Sequence, residues 1–119
     1  EEEWQFLQKR GVRVIFMEEI KRIGVAAAMK EALTIATHNT AGFGVSVDLD
    51  AFDPEIAPGV GSPEPDGLDF EEMKASFERL SQHPLLKAIE IVEYNPERDQ
   101  DGKTLSLLKE SLRVLLSTR

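Results

Sequence analysis

Two closely spaced aspartates end an apolar run near the middle of this 119-residue chain. Asp48 and Asp50 close the alternating stretch that begins at Val45, and its two-residue period predicts a strand with both carboxylates on one face. On a strand their Cα atoms would lie about 6.5–7 Å apart. Two carboxylates this close repel each other unless one is protonated or a cation lies between them. The pair therefore predicts a site for a hard divalent metal with oxygen ligands.

The loop that follows the aspartates favours a ligand site over simple solvation of a strand end. Asp53, next to Pro54, is a candidate third metal ligand or an acceptor of hydrogen bonds that fix the turn. The stretch 57–63 holds two prolines and two glycines in seven residues. This composition indicates a fixed backbone path close to a ligand.

The hydrophobic pattern predicts helices and strands in alternation. The expected helices cover 1–10, 18–37 with a weak point at Gly24, the stretch between the N-cap Asp69 and His83, and 103–116; the expected strands cover 12–17, 45–50 and 85–94. Alternation of this kind predicts an α/β fold of three layers, a parallel sheet between helices. Asp48 and Asp50 end one strand and Glu93 ends the next, so we expect the three acids at one rim of the sheet.

Composition limits the function classes. The net charge of −8 argues against nucleic acid or an anionic membrane surface as a partner. The chain has no cysteine, which excludes disulfides and thiolate zinc sites and agrees with a cytoplasmic location. No apolar run approaches the length of a membrane span. The chain starts with Glu1 rather than Met, and we expect it to be a piece of a longer protein.

The central stretch resembles the manganese-dependent ureohydrolases, the family of arginase, agmatinase and formimidoylglutamase. Three runs of the family pattern appear in order: SVDLDAFDP at 46–54, PGVGSP at 58–63 and DGL at 66–68. Ser62 stands where the family usually has Thr and keeps the hydroxyl. Asp66 stands where the first Gly is usual, and an L-residue there would disfavour a positive φ. The resemblance implies that Asp53 holds the loop.

The resemblance also implies that the chain is only part of a larger arginase-like fold. We expect residues 1–119 to be the C-terminal part of a single domain whose N-terminal part is absent. The family's Gly-Gly-Asp-His and Asp-Ala-His-x-Asp motifs, which supply histidine metal ligands, do not occur in this sequence. His38 and His83 flank predicted helix ends in other contexts, so we expect them to be surface or capping residues.

The resemblance assigns a role to each candidate site residue. Asp48 would bridge a pair of Mn²⁺ ions, and Asp50 would chelate one of them. Glu93 matches the glutamate that receives the guanidinium of the substrate, and Ser62 matches a hydroxyl near the same group. Glu3 lies roughly where some arginases carry an acid near the amino-acid end of the substrate.

The implied reaction is hydrolysis of a guanidinium. Two bound cations would lower the pKa of a bridging water, and the resulting hydroxide would attack the guanidinium carbon. Asp48 would pass the proton to the leaving amine. The run from Glu93 to Thr104 looks like that of bacterial arginases, which favours L-arginine as substrate, with ornithine and urea as products. Formimidoylglutamase or agmatinase activity is the alternative. Family members commonly form trimers or hexamers, so we expect a homo-oligomer.

Two further expectations concern the activity of the isolated chain and a function of another class. The isolated chain, with two acids and no histidine motif, is expected to bind metal weakly and to be inactive. A non-catalytic acidic module is also open, and receiver domains likewise carry acids at strand ends. A receiver, however, needs a Lys at a later strand end, where this chain has Glu93.

Overall fold

The fold is built on two parallel strands, β1 (Phe43–Asp48) and β2 (Leu86–Val92). The computed structural model describes residues 2–117. The helices are α1 (Glu2–Lys9), α2 (Met17–Ile23), α3 (Val25–Ala36), α4 (Phe70–Ser81) and α5 (Lys103–Leu115), and a short 3₁₀ turn (Leu49–Ala51) follows β1. Within the described range, every helix is too short or too polar to cross a bilayer.

Most of these helices and strands lie where the local sequence patterns predict them. The predicted weak point at Gly24 is confirmed, because its φ of 86° ends α2 and starts α3. The predicted N-cap is confirmed as well, since the Asp69 carboxylate accepts the N–H of Glu72 at 3.0 Å. Both features depend on residues close in sequence, which is why periodicity and capping rules find them.

The predicted first strand, Val12–Met17, was wrong. Residues 12–16 form no regular element, and α2 begins at Met17. Phe16 is 55% exposed and packs against Trp4, with ring centroids 5.3 Å apart. A strand needs a neighbour to take its backbone hydrogen bonds, and no strand of residues 2–117 other than β1 and β2 is present to do so. The sheet therefore has two strands here instead of three.

The core lies on one face of the sheet. Val45 pairs with Ile89 and Val47 with Ile91 in the parallel register, and these side chains pack toward the core. The helix α4 packs against both α3 and α5. Exposed residues occupy the other face: Gly44, Ser46, Ala88 and Glu90. The α/β class with a parallel sheet is confirmed. Among the described residues, however, helices cover a single face of the sheet, so the second helix layer of the predicted three-layer arrangement is not seen in them.

Candidate active site

The two central aspartates lie at the end of β1, but only one belongs to the strand. Asp48 is the last residue of β1, whereas Asp50 lies in the 3₁₀ turn. The prediction that strand alternation places both acids was therefore wrong for Asp50. Asp48 Oδ1 accepts the N–H of Asp50 at 2.8 Å, which turns the chain. Leu49 between them is fully buried, while Asp48 is exposed and Asp50 half-buried, so both acids keep access to solvent.

The third acid, Glu93, follows the neighbouring strand. Val92 is the register partner of Asp48, and Glu93 is the next residue. The parallel strands thus end side by side and deliver Asp48 and Glu93 to one rim. Glu93 has a φ of 68°, in the left-handed region that residues other than glycine seldom adopt. Such a conformation costs on the order of 1–3 kcal/mol and persists only where the surroundings fix it.

A short stretch of backbone, Gly59–Ser62, lies between the acids, and we call it the rim loop. A Cβ built on Gly61 would stand 3.3 Å from Glu93 Oε2. The N–H of Ser62 lies 3.5 Å from Asp50 Oδ1. The rim loop therefore touches Glu93 on one side and Asp50 on the other. Ser62 and Glu93 are both exposed, so the rim is open to solvent in this chain.

The structure adds a carboxylate to which the sequence assigned no role. Asp99 accepts the N–H groups of Gln100 and Thr104 at 2.9 Å and of Leu105 at 3.0 Å, and the Tyr94 hydroxyl lies 3.4 Å from it. Burial acts to raise the pKa of Asp99, but the hydrogen bonds from Thr104 and Leu105 outweigh that effect and lower it. Asp99 thereby caps α5 as a carboxylate. An Asp just ahead of a helix start was the sequence signal.

The cap of α5 also holds the rim loop. The N–H of Gly59 donates to Thr104 Oγ1 at 2.7 Å, and the N–H of Asn95 donates to the Gly59 carbonyl at 2.8 Å. Arg98 Nη1 donates to the Gly61 carbonyl at 2.7 Å. The rim loop is therefore attached to the segment between β2 and α5. Sequence reasoning missed these contacts because the partners lie far apart in the chain.

The remaining candidates are exposed or make contacts close to them in the chain. Asp53 Oδ1 accepts the N–H of Glu55 at 2.9 Å, which agrees with a role in holding the turn. Glu3 is exposed in the first turn of α1, so it lies on a different element from the rim acids. His83 Nδ1 accepts the N–H of Leu85 at 3.2 Å and His38 is exposed, as expected for capping and surface residues.

The rim acids fit a hard metal ion in chemistry but not in number. Asp48 and Asp50 offer carboxylate oxygens, the donors that Mn²⁺ prefers. Within residues 2–117, however, no cluster of three or more His, Asp or Glu side chains is placed to hold a metal. One oxygen of Asp48 already accepts a backbone hydrogen bond. The two acids can therefore form part of a metal site, and further ligands must complete it.

An apolar cavity of about 320 Å³ lies between α3, β1 and α4 and reaches Asp48. Aliphatic and aromatic side chains such as Met29, Leu33 and Phe77 line it. Asp50, Ser62 and Glu93 do not line it. Among the candidate site residues, the cavity thus meets the rim only at Asp48.

Comparisons with known proteins give the family. The model of the arginase family matches residues 1–117. Arginase from Bacillus caldovelox is 36% identical over 107 residues, which is 90% of this chain and 36% of that protein. The crystal structure of arginase from Bacillus subtilis superposes with a TM-score of 0.92 at 33% identity, covering 100% of this chain and 40% of that one.

A second enzyme of Bacillus subtilis, formimidoylglutamase, superposes with a TM-score of 0.89 at 29% identity, over 94% of this chain and 35% of that one. The superpositions confirm the predicted α/β fold as part of a larger arginase fold. They also leave the receiver-like alternative without support. The chain spans little more than a third of the length of the arginases that it matches, 36% of the Bacillus caldovelox enzyme and 34% of the Brevibacillus brevis enzyme. Because the family model covers nearly all of its residues, the chain belongs to the arginase family.

Proposed function

We propose that these residues belong to a manganese-dependent hydrolase of a guanidino substrate, and that the substrate is L-arginine. The observation that carries the proposal is the position of Glu93, one residue beyond the strand partner of Asp48, with the rim loop beside it. Similarity to several bacterial arginases supports arginine over the related substrates.

Glu93 would bind the guanidinium. Its carboxylate is exposed at the rim, and a planar cation can donate two parallel, charge-assisted hydrogen bonds to such a group. The left-handed backbone of Glu93 supports this role, because strained conformations of this kind cluster at functional sites. The hydroxyl of Ser62 follows Gly61, whose backbone faces the Glu93 carboxylate, and would contact the same group.

Asp48 and Asp50 would hold the manganese together with ligands from outside these residues. When bound, the metal pair supplies the acidity that makes a water nucleophilic near neutral pH. Asp48 would accept the proton that this water loses and would donate it to the leaving nitrogen. The water oxygen bonds to the guanidinium carbon, and the bond between that carbon and the side-chain nitrogen breaks. Arginine and water thus give urea and ornithine.

The proposal is tested with the full-length protein by Glu93→Gln and the control Glu78→Gln, an exposed residue of α4. The amide of Gln donates where a carboxylate accepts, so E93Q should lower kcat/KM for arginine on the order of 100-fold while manganese affinity is kept. E78Q should leave both quantities unchanged. Full arginine activity in E93Q would overturn the proposal. Agmatine and N-formimidoyl-glutamate assayed in parallel decide between arginase and its alternatives.

We further propose that residues 1–119 are the C-terminal part of one domain and are inactive alone. Two carboxylates cannot hold two metal ions against water, so the isolated chain should bind Mn²⁺ more weakly than micromolar. Titration calorimetry and a urea assay on the purified chain test this. Micromolar binding, or urea release, would contradict it.

The full-length protein is also proposed to form a trimer or hexamer in the cytoplasm, which rests on the resemblance to the family. Light scattering of the full-length protein after size-exclusion chromatography measures the subunit number. A monomer across the accessible concentration range would contradict the oligomer.

A further inference from the structure

The rim loop is fixed at each of its first three residues. Gly59 donates its N–H to Thr104 Oγ1 and accepts the N–H of Asn95. Val60, 1% exposed, forms an isolated antiparallel bridge with Tyr94. Surface loops are usually the more mobile parts of a fold, and their backbone is seldom held by this many contacts. The path of the loop is therefore set by the segment after β2.

Thr104 is the buried centre of these contacts. Its side chain is fully buried, and its hydroxyl reaches Gly59, 45 positions earlier in the chain. Its own N–H is held by Asp99. The space around Gly59 is closed, because a Cβ there would lie 2.8 Å from Asp99 Cβ and 2.9 Å from Thr104 Oγ1. The loop consequently cannot shift toward α5.

Arg98 fixes the other end of the rim loop. Its guanidinium donates to the Gly61 carbonyl at 2.7 Å and lies 3.5 Å from the Val60 carbonyl. Gly61 is the residue against which the Glu93 carboxylate lies, and Ser62 comes next. A displacement of Gly61 would therefore move the loop relative to both Glu93 and Asp50.

We propose that Thr104 and Arg98 are positioning residues, which hold the rim loop against Glu93 and so set the affinity for the guanidino end of the substrate. The inference rests on the proposed function, since it deepens the role of Glu93 and Ser62. Neither Thr104 nor Arg98 is required to touch the substrate. Their effect is geometric, because a polar binding site loses affinity when its groups move by a fraction of an ångström to 1 Å.

The test uses the manganese-loaded, full-length protein with four variants. Thr104→Val removes the acceptor of the Gly59 N–H at nearly constant volume, and Thr104→Ser keeps it. Arg98→Met removes the donor to Gly61, and Arg79→Met, at an exposed position of α4, is its matched control. We expect T104V and R98M to raise KM for arginine about tenfold with a smaller change in kcat, and manganese affinity to stay constant.

Two further readouts separate positioning from general damage. Hydrogen exchange of the Gly59 amide should be faster in T104V than in T104S, which should recover most of the wild-type KM. If T104V does not fold, R98M decides the question, because Arg98 is exposed and its replacement removes no buried side chain. A wild-type KM in R98M, or an equal rise in R79M, overturns the inference. Absence of guanidino hydrolysis in the wild-type protein overturns the proposed function and this inference with it.

Discussion

The carboxylate of Glu93 lies against the backbone of Gly61, so that a Cβ built on Gly61 would stand 3.3 Å from Glu93 Oε2. The contact joins the end of β2 to the rim loop, which also reaches Asp50 through Ser62. It leaves room for no side chain larger than hydrogen beside the carboxylate in its present position. The absence of a side chain at Gly61 therefore lets the Glu93 carboxylate lie close to the rim loop.

Gly61→Ala should change substrate affinity more than stability. The added methyl meets the flexible end of Glu93, which can give way by a few tenths of an ångström, so the free energy of unfolding should change by less than about 0.5 kcal/mol. The displaced carboxylate should raise KM for arginine several-fold in the full-length protein. Urea unfolding and steady-state kinetics measure the two effects. A large stability loss with an unchanged KM would contradict this account.

Gly59→Ala should lower the stability of the protein more than Gly61→Ala does. Its added Cβ meets the Cα and Cβ of Asp99 at 3.0 and 2.8 Å, and backbone cannot move aside as a side-chain end can. We expect the free energy of unfolding to fall by about 1–3 kcal/mol, as for overpacking in a closed site. Urea unfolding of G59A beside G61A provides the comparison. Equal stability of the two variants would show that the space near Asp99 is less closed than described.

Asp66 stands where the family usually has glycine, and its backbone conformation has a cost that substitutions can measure. Its φ is 61°, so Asp66 adopts a left-handed conformation that is unusual for a residue other than glycine. Asp66→Gly should stabilise the protein by about 0.5 kcal/mol, because glycine adopts this conformation without steric cost. Asp66→Ala should destabilise it by a similar amount. Loss of the exposed Lys21 ion pair, 3.8 Å long, is common to both variants and contributes little. The same sign of change in both would contradict the argument.

Asp53 should act through the turn and not through the metal. Asp53→Ala removes the acceptor of the Glu55 N–H and should lower the free energy of unfolding by about 1 kcal/mol. Asp53→Asn keeps an oxygen acceptor and should lower it less. Manganese affinity of the full-length protein should be unchanged in both variants and weakened in Asp50→Asn. A tenfold loss of manganese affinity in D53N would instead make Asp53 a ligand.

The free energy of unfolding should depend on pH at acidic values because Asp99 is protonated there. Its pKa is lowered in the folded state below the ordinary value of 3.8, by hydrogen bonds that outweigh burial. The folded state therefore binds the proton less readily, so this stabilisation is complete above about pH 4 and is lost as the pH falls through the folded pKa. Asp99→Asn should be less stable at pH 7 and lose less stability between pH 5 and pH 2, which urea unfolding at several pH values measures. A parallel loss in D99N and wild type would contradict this.

Sequence reasoning succeeded where the determining contacts are local. The strands β1 and β2, the break at Gly24 and the cap at Asp69 each follow from residues within a few positions. It failed for residues 12–17, because the tendency of β-branched residues to form strands requires a paired neighbour. The family pattern identified Asp48, Asp50, Ser62 and Glu93 as candidates without showing how they are held.

The sequence by itself determined the helices, the two parallel strands and the acids at their ends, because hydrophobic period and turn chemistry act over short distances. The tertiary structure alone decided that Asp50 leaves the strand, that Glu93 has a left-handed backbone, and that Thr104 holds Gly59 across 45 positions. Such contacts depend on how α5 packs beside the end of β2. Their partners are brought together only by the folded chain, so no local pattern records them.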